Sequence, residues 1–179
     1  FLKGRHKVAA GLFSGSIAVA ITIALVSAGV LYILATRDTG KTLTYGVPEW
    51  IIQLIMPIGF VLIAWRIVGY SGNTWKGKLA VALAGGLIFA LGSIPGLDAS
   101  GFAAPALLLL LLATILGAPI FCALGGAAVI LFWSQGDPIA SIAVDHYRLV
   151  VNPTLAAIPL FTLAGYFLAE GGASQRLIR

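Results

Sequence analysis

The run VAAGLFSGSIAVAITIALVSAGVLYILA, Val8 to Ala35, holds not one charged side chain. At about 1.5 Å per residue, a helix of that length outreaches the roughly 30 Å hydrocarbon core of a bilayer. Lys3, Arg5 and Lys7 precede it and Arg37 and Asp38 follow it. It reads as a membrane span, tilted or with its ends outside the lipid. The rest of the chain agrees. Of 179 residues 60% belong to the apolar set and only 9% are charged, with a mean hydropathy of +1.04. Ordinary soluble domains carry about 25% charged residues, so a water-soluble globule is excluded. A disordered chain is excluded by the same figures. The net charge of +5 would suggest nucleic acid in a soluble protein. Here the basic residues lie between apolar runs and read as topology signals, and no nucleic-acid partner is expected.

Outward from the first run, Trp50 to Val68 supplies a second of spanning length. Trp50, Trp65 and Tyr70 stand where interfacial aromatic belts sit, Arg66 is placed to snorkel, and Pro57 should kink the helix. The third run, Leu79 to Ile94, is shorter, and the Trp75 to Lys78 turn before it brings it close to spanning length. Phe102 to Trp133 is the longest charge-free run and is interrupted at Gly117, Ala118 and Pro119. It reads as one kinked, tilted helix, because nothing between Leu107 and Leu131 resembles an aqueous loop. Asp137 and Pro138 then signal a helix start. The following stretch sets Ile139, Ile142, Ala143, Leu149 and Val150 on one side and Ser141, Asp145 and Arg148 on another, an amphipathic helix suited to the membrane surface. Asn152 and Pro153 should end it. Thr154 to Ala169 contains Pro159 and Gly165 and reads as a short span, a broken helix or the start of a membrane-embedded hairpin.

The expected fold class is therefore an all-α integral membrane protein: a multi-span helical bundle of four spans, a cytoplasmic-face amphipathic helix and a Pro/Gly-broken short membrane segment. Orientation follows the basic residues. With the N-terminus in the cytoplasm, that side holds Lys3, Arg5, Lys7, Arg66, Lys76, Lys78 and Arg148, and the other holds Arg37 and Lys41.

Chemistry is sparse. Ionisable groups at membrane depth are costly and survive for function, and none lies near the centre of the four spans. Gln53, Thr22 and Thr114 are the notable polar groups, read as helix-packing or backbone-bonded side chains rather than substrate ligands. Asp145, His146 and Arg148 have no accompanying nucleophile and read as a solvated face with a weak Asp145 to Arg148 pair. His6, His146 and the lone Cys122 make no zinc spacing. No catalytic residue, cofactor or metal is expected, and no phosphate-binding Gly-rich loop of the ATPase type is present. The chain opens on Phe1 with no cleavable leader pattern and stops just after an apolar segment, so it reads as an internal piece of a longer membrane protein.

GAPIFCALGGAAVILFW (117–133) followed by NPTLAAIPLFTLAGYFLAEGGASQRLIR (152–179) resembles the N-terminal region of the large permease subunit of tripartite ATP-independent periplasmic (TRAP) transporters. Ile158, Pro159, Leu160, Phe161, Leu163, Ala164, Gly165, Gly171, Gly172, Arg176 and Leu177 fall on that family's pattern. Upstream, the first two runs with Pro48, Trp50, Pro57, Gly59 and Phe60 resemble the last two helices of the family's small subunit. The resemblance implies a fused small plus large subunit of the C4-dicarboxylate (DctQ–DctM) type. Residues 1–70 would be the small-subunit-like part, 71–101 a linker with the fusion helix, and 102–179 the start of the large-subunit-like part.

What that family does is then the expectation for this chain: a permease component of a sodium-coupled secondary transporter in the bacterial inner membrane. It would import small organic anions delivered by a periplasmic substrate-binding protein, with the remainder of the large subunit as a further partner and sodium as coupling ion. The resemblance makes most of this chain scaffold around an elevator-like transport domain. Asn152, Pro159, Phe161, Gly165, Gly171 and Gly172 become the nearest candidates for an edge of the moving part. The competing reading is a non-transporting anchor or assembly subunit of a larger membrane complex, which an axial His pair inside the spans would favour. His6 and His146 lie outside them.

Overall fold

Charge-free runs become helices because lipid offers no partner for backbone N–H and C=O groups, which must then pair within their own segment. The structure, a computed structural model, describes residues 5–43, 46–71, 74–94 and 99–170. Among the described residues the first such helix is α1 (Arg5–Arg37), followed by a loop closed by Leu43 N–H to Val47 O and Glu49 N–H to Lys41 O bonds of 2.8 and 3.0 Å. The second run forms α2 (Glu49–Gln53) and α3 (Ile55–Tyr70) with a step at Leu54. Pro57 causes the step, since it has no hydrogen to donate to the carbonyl of Gln53 four residues back. Leu54 itself stays helical at φ −57°, ψ −25°, so the proline interrupts the ladder without ending the span. The third run is α4 (Trp75–Gly92). The helices α1, α2 with α3, and α4 are each long and apolar enough to cross a membrane.

The fourth run departs from expectation. Phe102 to Trp133 is a hairpin of α5 (Ala99–Ile115) and α6 (Ile120–Gln135), not one kinked helix. Gly117 takes φ +107°, Ala118 N–H reaches back to Ala113 O at 2.9 Å, and Gly117 N–H to Thr114 O at 3.1 Å. This pair of bonds is the Schellman stop, and Pro119, extended at ψ 143°, starts the next helix. The turn satisfies its own backbone groups and so needs no polar residues. The same device ends α6, where Gly136 sits at φ +75° and Asp137 N–H bonds Phe132 O at 3.0 Å. Asp137 therefore closes α6 instead of capping the next helix, α7 (Ala140–Val150), which opens on Ser141 N–H to Pro138 O.

These elements pack around α1. In α1 Ala18, Val19, Thr22, Ala24 and Ala28 are buried. Antiparallel α3 approaches at Gly29, where an added Cβ would stand 3.4 Å from the Pro57 ring. Parallel α4 approaches closest at Gly85, against Val19 and the Ser16 carbonyl. The hairpin packs Leu110, Gly125 and Gly126 against Ile21 and Leu25, and Ala18, Ile21, Leu25, Leu110 and Cys122 form the core. Small residues at such crossings let helices gain dispersion contacts where lipid removes the hydrophobic drive. Thr22 and Thr114 hydroxyls donate to the carbonyls of Ala18 and Leu110 at 2.6 and 2.8 Å, the backbone-bonded state read from the sequence.

The chain divides into two compact units, residues 1–143 and 144–179. The second holds the end of α7 and α8 (Pro153–Glu170). Of the three readings open for this segment, α8 is an unbroken helix of spanning length through Pro159 and Gly165. The Pro/Gly break expected here falls instead at Gly117 to Pro119. Four candidate spans are present as expected, but α8 takes the place assigned to Phe102–Trp133.

A hairpin returns the chain to the side it came from, so α7 begins on the side of the α4 C-terminus, not on the side of the Trp75 turn as expected. Ser93→Cys and Asp137→Cys, each placed in a Cys122→Ser background of the full permease, should react with a membrane-impermeant maleimide from the same side of oriented vesicles. Labelling from opposite sides would restore the single tilted helix.

Candidate functional site

The residues singled out by motif lie on α8 and its entry. Asn152 is the N-cap: its side-chain Oδ1 accepts from Thr154 N–H at 3.0 Å, and Pro153 fills the first helical position, where no amide hydrogen is needed. Pro159 leaves the Leu155 carbonyl without an amide donor four residues on, and Thr162 Oγ1 donates to Ile158 O at 2.9 Å. At about 100° per residue Asn152 and Pro159 share one face of α8, and Phe161 and Gly165 share another. The helix therefore presents two stripes, not a convergent pocket. Gly171, Gly172, Arg176 and Leu177 lie outside the described residues, as do Pro95 to Asp98 of the loop before α5.

On α7 Arg148 and Asp145 form an exposed pair at 3.8 Å, the solvated pair expected, worth at most about 1 kcal/mol. Among the described residues no three His, Cys, Asp or Glu side chains gather as a metal set.

The polar contact that the sequence left unresolved joins α1 to α2. Gln53 is only 2% exposed, its Nε2 donates to Tyr32 Oη at 3.2 Å, and its Oε1 is buried without a hydrogen-bond partner. Gln53 stands out in its run as the lone amide, but its partner on α1 follows only from the antiparallel register. An unpaired buried amide oxygen costs about 1–3 kcal/mol. Gln53→Leu should therefore leave the thermal stability of the purified permease within about 1 kcal/mol of the parent. Gln53→Glu, which risks a carboxylate at depth, should lose about 2–3 kcal/mol. Equal loss in both variants would mean that the amide is needed as a donor.

Residues 1–77 match the family model described as tripartite ATP-independent periplasmic transporters, DctQ component. Residues 107–179 match the model for the DctM component of the same transporters. The chain is 38% identical over 67 residues to the C4-dicarboxylate TRAP transporter large permease protein DctM of Vibrio cholerae, a stretch that is 36% of this chain and 15% of that protein. It is 42% identical over 55 residues to the protein of the same name from Pseudomonas aeruginosa, 31% of this chain and 13% of that one. The chain thus spans only a small part of the length of these relatives. No solved structure matches it.

Proposed function

Because this chain belongs to the tripartite ATP-independent periplasmic transporters, with a DctQ-like part followed by a DctM-like part, we propose that it is the junction of a fused permease that imports small organic anions with sodium. C4-dicarboxylates or related carboxylates would be the substrate class, handed over by a periplasmic binding protein at the bacterial inner membrane. The observation that carries this reading is the succession of the two family matches in one polypeptide. The interval between them, residues 78–106, holds most of α4. That supports α4 as the crossing that joins the two subunit types, with boundaries near residues 70 and 101. The names of the relatives support the substrate class.

In this reading the first unit is scaffold. An elevator needs a frame that does not deform as the carrier slides, and α1 is held by glycine-mediated contacts with α3, α4 and α6. Such close-packed crossings resist displacement. Asn152, Pro159, Phe161, Gly165, Gly171 and Gly172 form the edge of the moving part, and substrate and sodium ligands lie elsewhere in the permease. The chain's own part is structural, with no catalysis. Arg5, Lys7, Arg66, Lys76 and Lys78 fall at one end of the bundle and Arg37 and Lys41 at the other. Arg148 belongs to the second unit, residues 144–179. Five against two still supports a cytoplasmic N-terminal end.

Full permease in liposomes should accumulate a labelled C4-dicarboxylate only with an inward sodium gradient and its cognate binding protein. Uptake indifferent to both would overturn the proposal and favour the anchor reading.

A further inference from the structure

A groove of about 300 Å³ runs beside the α1 and α2 contact, lined by Val30, Ile33, Leu34, Arg37, Trp50 and Leu54. The α1 members are spaced three and four apart and share one face, and Trp50 of α2 and Leu54 at the step face them. Five of the six linings are apolar, and the sixth is a cation at the groove's end. Arg37 and Glu49 are the terminal residues of the two candidate spans that form it. The groove therefore descends from interfacial depth into the hydrocarbon, with its charge where lipid phosphates lie.

The Arg37 guanidinium sits 6.0 Å from the centroid of the Trp50 ring. Stacking of this kind holds the planar fork in place while its N–H edges stay available for bidentate hydrogen bonding. Among the described residues the one ion pair is Arg148 with Asp145, so Arg37 has no described carboxylate within 4 Å. Asp38, Lys41 and Glu49, the other charges of the same loop, do not line the groove.

We propose that this groove binds one phospholipid, an acyl chain lying along Val30, Ile33, Leu34 and Leu54 and the phosphodiester held by Arg37 over Trp50. The apolar length accounts for a chain that a free anion lacks. The cation at the interfacial end complements an anionic phosphodiester at the depth where lipid headgroups lie. This inference rests on membrane insertion alone, so its failure leaves the transport reading untouched, and the uptake experiment tests that reading separately.

Native mass spectrometry of the full permease, delipidated in detergent and titrated with phosphatidylglycerol, reads the site directly. The parent should retain one lipid. Arg37→Gln should weaken retention about tenfold, the loss expected for a hydrogen-bonded charge pair. Leu34→Trp, which fills the groove, should weaken it comparably, and Lys41→Gln should leave it unchanged. Unchanged Tm in Arg37→Gln separates lost binding from lost folding, and that variant decides alone if Leu34→Trp does not fold. A lipid adduct insensitive to Arg37→Gln, displacement by inorganic phosphate alone, or no retained lipid in the parent, as when another protein segment covers the groove, would each overturn the proposal.

Discussion

Gly85→Ala lowers the thermal stability of the purified permease by about 2–3 kcal/mol, while Gly86→Ala one position along leaves it unchanged or slightly raised. A Cβ at Gly85 would stand 2.7 Å from Val19 Cγ1 and 2.9 Å from the Ser16 carbonyl oxygen, and at Gly86 nothing lies within 4 Å. The carbonyl decides the size of the effect. A methyl end can rotate away, but Val19 Cβ, at 2.8 Å, and the Ser16 oxygen move only if α1 itself moves, and α1 is packed by helices on its other sides. Gly126→Ala provides the internal comparison. There the new Cβ meets Ile21 Cδ1 at 2.7 Å and Leu110 Cδ1 at 3.0 Å, both ends of flexible side chains, so about 1 kcal/mol is expected. Thermal unfolding of the three variants in one detergent checks the ranking. If Gly85→Ala were no worse than Gly126→Ala, α4 would not be seated on α1 as described.

Gly117→Val should cost about 2–3 kcal/mol and disturb the α5 and α6 hairpin, because a β-branched residue at φ +107° is strained whatever space surrounds it. Gly117→Asn should cost nearly as much. Asparagine tolerates the left-handed helical region, and the φ of Gly117 lies well beyond it. At Gly136, with φ +75°, Asn should be tolerated at under about 1 kcal/mol. The measurement pairs thermal stability with the labelling of Ser93→Cys and Asp137→Cys. A Gly117→Val protein with parental stability and same-side labelling would show that the reversal does not depend on glycine.

The hairpin also marks where reading the chain by polarity misleads. Gly117 and Pro119 are the ordinary signature of a helix stop, yet apolar residues on both sides outweighed them, since a reversal between spans is expected to be wet. Inside a membrane a turn needs only satisfied backbone groups, and the bonds to Ala113 and Thr114 supply them. Asp137 misled for a related reason. An acidic residue before proline signals a cap, but the left-handed Gly136 ahead of it had already committed Asp137 to the end of α6. The stop of α7 before Asn152 and Pro153 was legible, because the residue ahead of a proline avoids the helical region, whereas the Asn152 cap on α8 came only from the structure.

The linear order of residues determined which segments enter lipid and the transporter family they resemble. The free energy of moving a helix into hydrocarbon accumulates residue by residue along one stretch, and a motif is likewise read along it. Tertiary structure alone decided that Gly85 bears on α1 and Gly86 does not, that Gln53 finds Tyr32, and that Phe102 to Trp133 folds back on itself. Those outcomes depend on the rotation and register of one helix against another, which are set by contacts between residues far apart in the chain.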